Sequence, residues 1–75
     1  MDRMTARWLV FSAVKDYPRD TNEIMDELYQ RTGNFDDLRV IAMELQALID
    51  AGVVLIHAED DIADILEVRL NNVAA

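Results

Sequence analysis

The chain is expected to fold as a mainly α domain with a C-terminal β-hairpin, an α+β arrangement of three helices followed by two strands. Three observations lead there. Apolar residues recur at helical spacing in three separate stretches. Polar capping residues and two glycines, Gly33 and Gly52, punctuate those stretches. After Gly52 the pattern changes to a β-branched run and then to strict alternation.

The first helix is expected from about Thr5 to Asp16. Thr5 offers a capping hydroxyl, and Pro18 pushes the residue before it out of helical geometry. Ala6, Leu9, Val10, Ala13, Val14 and Tyr17 fall on one face and make its core stripe. The second helix is expected over 21–32. Asp20, Thr21, Asn22 and Glu23 have capping-box spacing, Ile24, Met25 and Leu28 face inward, and Gly33 supplies the left-handed stop. The third is expected over 35–51. Asn34 caps it, and Asp36 and Asp37 sit in the first turn, where the helix dipole favours carboxylates. Leu38, Ile41, Ala42, Leu45, Leu48 and Ile49 form the clearest periodic stripe in the chain.

The hairpin is expected over about 53–70. Val53 to His57 reads as one strand, Leu66 to Leu70 as its partner, and Ala58 to Asp61 as the polar turn between them. Ile62 to Ile65 fit either the turn or the second strand. Asn71 to Ala75 reads as a short frayed tail. One domain accounts for the whole of 1–75.

This order of elements resembles the winged helix-turn-helix class. The stretch from Glu44 to Val54 looks like the end of a third helix, a glycine and a first wing strand, and Thr21 to Leu28 looks like the second helix. The resemblance implies a compact helical body with a wing, a scaffold that serves many purposes. In DNA-binding members the third helix enters the major groove. Here that helix carries Asp36, Asp37, Glu44 and Asp50 against Arg39 alone, four acids to one base, and the wing tip is Glu59-Asp60-Asp61. Both elements that should meet phosphate have the wrong sign.

Charge across the whole chain points the same way. Fifteen acids against seven bases give a formal net charge of −8, and nucleic-acid binding depends on neutralising phosphates with Lys and Arg. Nucleic acid therefore ranks behind protein as a partner. The chain has no cysteine, which removes disulfides, zinc–thiolate sites and thiol catalysis. No cofactor, metal or small-molecule substrate is expected. His57 is the only histidine and reads as structural. Asp60, Asp61 and Asp64 lack the glycine and terminal glutamate of a calcium loop. No apolar run approaches the roughly 18–20 residues that span a bilayer. The apolar run from Trp8 to Val14 follows an acid and two arginines with no cleavage pattern, so the default expectation is a cytoplasmic protein.

Two surfaces ask for a partner. Val40, Met43 and Ala47 lie opposite the core stripe of the third helix, edged by Asp36, Glu44 and Asp50, where a solvated face should be polar. Trp8 and Phe11 lie off the core stripe of the first helix; they are either core, if the tail or hairpin folds over them, or interface anchors, a role large aromatics favour. With 52% of its residues hydrophobic, the chain has apolar side chains to spare for a surface.

The expected function is thus a non-enzymatic protein–protein interaction module, acting on another protein, on a second copy as a homodimer, or on both. Its carboxylates would steer it to a basic surface. A phage or mobile-element regulator that inhibits a host protein by imitating DNA charge fits this description. The rival is a dimeric DNA-binding transcriptional regulator, with Arg19, Arg31 and Arg39 as its phosphate contacts.

Overall fold

The computed structural model describes residues 1–72. Its elements in chain order are α1 (Arg3–Val14), β1 (Arg19–Asp20), α2 (Thr21–Thr32), α3 (Phe35–Asp50), β2 (Val54–Asp60) and β3 (Ile65–Leu70). Three helices pack on a three-stranded antiparallel sheet of order β1-β3-β2.

Helix α1 starts and stops about two residues before the expected positions. Asp2, not Thr5, is the N-cap, and its carboxylate accepts the Thr5 backbone N–H at 2.8 Å. That bond holds the Asp2 carboxyl below its ordinary value. The C-cap is Lys15, so the helix ends before Pro18 can act on it. Tyr17, expected on the core stripe, lies past the helix end and is exposed.

Helix α2 matches its expected span. The Asp20 carboxylate accepts the Asn22 N–H at 2.7 Å, rather than the Glu23 N–H of a full capping box. Gly33 closes α2 at φ 66°, with its N–H donated to the Tyr29 carbonyl. A Cβ at Gly33 would meet no atom within 4 Å, so the only penalty for a side chain there is backbone strain. Gly33→Ala should lower stability by about 1 kcal/mol, read as a lower urea midpoint. Gly33→Asn should lose less, because asparagine tolerates this conformation. An unchanged midpoint for the alanine variant would refute the strain argument.

Asn34 caps α3 as expected, accepting the N–H groups of Asp36 and Asp37. Ala51 is the C-cap, and Gly52 follows at positive φ. Ala42, expected on the core face, is exposed, whereas Ile41, Leu45 and Leu48 are buried.

The sheet departs from the hairpin expectation in three ways. Ala58 to Asp60 continue β2 instead of turning, and the turn is 61–64, with Ile65 opening β3. A bulge at His57 shifts the register between Ile56↔Val68 and Ala58↔Glu67. The two residues of β1 add a third strand, pairing Arg19↔Val68 and Asp20↔Glu67. Asn71, expected to be frayed, is pinned: its backbone N–H donates to the Val53 carbonyl and its side chain to the Gly52 carbonyl, both at 2.9 Å. The remainder of that expected tail, 73–75, lies outside the described residues.

The core sits where the helices meet the sheet. Val10 and Val14 of α1, Ile24 and Leu28 of α2, Ile41 of α3, Val54 of β2 and Val68 of β3 are all fully buried. Each such side chain contributes about 1.5–3 kcal/mol through removal from water. The outer half of the hairpin, by contrast, is exposed on both faces from Ile56 to Ile65.

Candidate functional site

The site is built on the seam between α1 and α3. Glu44 was expected on the acidic rim of the outer face, but it is only 2% exposed. Arg3 and Arg7 of α1 clamp it: Arg3 Nε donates to Oε2 at 3.1 Å, and Arg7 Nε and Nη2 both approach Oε1 at 2.9 Å. The Arg7 hydrogen bond, helped by Arg3, holds the Glu44 carboxyl below its ordinary value, against the opposing pull of burial. Glu44 is therefore a neutralised tie between helices and not a free surface charge. A sequence signal existed: Arg3 and Arg7 are one turn apart on α1, so they present two cations along one edge.

Beside this tie lies an open groove of about 430 Å³, lined by Met1, Asp2, Arg3, Val40, Met43, Glu44 and Ala47. The three apolar residues expected on the outer face of α3 thus do line one surface. Of these three, Met43 is the most open at 67% exposure, whereas Val40 is half-buried and packs on the core. The Met1 ammonium forms a 3.0 Å ion pair with Asp37 of α3.

Trp8 is 66% exposed, as expected of an anchor, and Met4 one turn earlier is exposed with it. Phe11 is half-buried and packs against the core. At about 100° per residue, Arg3 and Arg7 lie between the buried stripe of α1 and the Met4–Trp8 edge. Glu44 lies likewise between the buried stripe of α3 and Val40, Ala47 and Met43. Because the arginines meet Glu44, both apolar edges flank the same ionic tie. Asp36 and Asp50 are exposed on the same outer face of α3 as Met43, at about 100° per residue.

The three arginines of the DNA reading are not brought together as equals. Arg19 is tied into the fold: Nη1 donates to Glu27 Oε2 at 2.9 Å and to the Ala13 carbonyl at 3.4 Å. Arg31 and Arg39 are exposed, and neither enters an ion pair among the described residues. At the hairpin tip, Asp60 accepts the N–H groups of Ile62 and Ala63, and Ile62 is fully exposed between carboxylates.

Among the described residues no group of three His, Cys, Asp or Glu side chains could hold a metal ion. Nor, among them, is any helix long and apolar enough to cross a membrane. No protein-family model, curated protein or solved structure matches the chain.

Proposed function

We propose that the chain is a non-enzymatic protein-interaction module on a winged-helix-like scaffold, and that it docks through the outer side of α3. The scaffold reading rests on the order helix, strand, helix, helix, strand, strand with the sheet order β1-β3-β2, which resembles that class. The docking reading rests on one observation: an apolar groove beside an exposed Met43 on a helix face that a solvated domain would keep polar. Methionine adapts its shape to a partner at little strain. Trp8, exposed on α1 outside the groove lining, would add an aromatic anchor.

Capture of protein partners by the immobilised chain tests this. Met43→Asp should cut capture by at least about tenfold, since it places a carboxylate in the apolar contact. Ile62→Asp, at the remote hairpin tip, should leave capture intact. Equal capture by wild type and Met43→Asp would overturn the reading.

The DNA-binding regulator is kept as a second reading because Arg31 and Arg39 are exposed without carboxylate partners. A salt-sensitive shift of a duplex of about 30 base pairs, weakened by Arg39→Ala, would put it first.

A further inference from the structure

We propose that the occupant of the α3 outer face is a second copy of this chain, docked α3 against α3 in antiparallel register about a two-fold axis. This rests on the docking reading above and names the partner.

The inference comes from a stripe that the apolar groove borders. Arg39, Met43, Gln46 and Asp50 are all exposed and follow one another at intervals of four, three and four residues along α3. That spacing is the seam of a coiled coil. The charges at its two ends are opposite, and the middle is neutral. A second α3 laid antiparallel brings Arg39 opposite Asp50 of the partner subunit, and the symmetry repeats the pair at the other end. Between the two ion pairs, Met43 faces Gln46 of the partner subunit, twice. At a rise of about 1.5 Å per residue the two ion pairs stand about 16 Å apart along the helix. The flanks suit close approach: Val40 and Ala47 border the seam on one side, and Ala42 and Ile49 on the other. None of these four carries a charge; the exposed Asp36 stands at the N-terminal end of the seam, one turn before Arg39.

Other occupants fit less well. A parallel copy sets Arg39 against Arg39 and Asp50 against Asp50. A basic helix would find carboxylates in Asp36 and Asp50 but would meet Arg39, near the N-terminal end of the stripe, as a like charge. The position of Asp50 adds to the case. A carboxylate in the last turn of a helix opposes the helix dipole, and α3 has no basic residue there to relieve it. Asp50 is nevertheless held in place, accepting a hydrogen bond from Gln46 Nε2 at 2.9 Å within the same stripe. An arginine of a second copy would complete it. The net charge of −8 on each copy opposes approach at long range, so the local pairs set the register more than the total affinity.

The test is a pair of charge reversals read by light scattering on a sizing column over a range of concentrations. The wild type should run as a concentration-dependent dimer. Arg39→Asp and Asp50→Arg should each weaken self-association by at least about tenfold, because each creates two like-charge contacts. An equimolar mixture of the two variants should dimerise again, since both contacts are then between opposite charges. Both positions are exposed, so neither change should unfold the domain, and circular dichroism would verify that. A wild type that stays monomeric up to about 1 mM, where association is worth only about 4 kcal/mol, would overturn the proposal. So would a dimer indifferent to either variant, or a mixture that stays monomeric. Monomers throughout, alongside Met43-dependent capture of another protein, would reject self-pairing while the docking reading survives.

Discussion

Replacing Ile41 by alanine is expected to remove about a fifth or more of the folding free energy. Ile41 is fully buried in α3, the helix that packs on α1, α2 and β2. Truncating a buried isoleucine costs about 2–5 kcal/mol, the lost transfer energy plus a cavity that neighbours only partly fill. At about 0.05–0.15 kcal/mol per residue, a domain this small holds only about 4–11 kcal/mol in total. The urea midpoint should fall accordingly. Ile41→Val, which keeps most of the volume, should cost about 0.5–1.5 kcal/mol. A loss below about 1 kcal/mol for the alanine variant would mean that α3 can shift to fill the gap, contrary to the tight core described above.

Removing the Glu44 carboxylate should be the next most damaging change. Glu44→Ala leaves Arg3 and Arg7, neighbours on α1, facing α3 with no anion to neutralise them. The melting temperature at neutral pH should drop by about 5 °C or more. Arg7→Ala should hurt more than Arg3→Ala, because the Arg3 side chain stays three-quarters exposed while Arg7 is more enclosed. The same tie makes the protein acid-labile. Glu44 is held below its ordinary value of 4.5 in the folded chain. Its contribution is therefore complete above about pH 4.5 and is lost as the pH falls through the lower folded value. Asp2, held below 3.8 by its cap to Thr5, extends the loss to lower pH. Melting curves between about pH 7 and pH 3 should slope steeply at the acid end for the wild type and less for Glu44→Gln. Superimposable profiles would show that the carboxylate is not charged differently in the folded state.

The helices were legible because their signals are local. Asp20, Asn34 and Gly33 act within one turn of themselves, and each does in the structure what its type and position suggest. The stripe through Ile41, Leu45 and Leu48 is likewise a property of α3 alone. What escaped depends on distant parts of the chain. Strand β1 has only two residues, neither of them a strong strand former, and exists because β3 offers it a ladder. Glu44 looked like a surface acid because its burial is set by two arginines 37 and 41 residues away. Phe11 lies off the periodic stripe of α1 yet still meets the core, since a half-buried helix edge is decided by its neighbours. The expected start of α1 at Thr5 missed Asp2, whose side chain outcompetes the hydroxyl as a cap. Of the candidate surface, the exposure of Trp8 and Met43 followed from periodicity. The groove between α1 and α3 followed from packing that no single helix encodes.

The short strand β1 also sets when this fold can be completed. Its partners Val68 and Glu67 lie 49 and 47 residues further along the chain. Closing so long a loop carries an entropic cost that the local helical contacts do not share. During synthesis the three helices can form as they emerge, but β1 and β2 cannot join into a sheet until β3, which lies between them, is made. A nascent chain stalled before β3 would hold helices without a lid, its apolar side chains open to chaperones. The sheet is thereby completed only once β3 has been made.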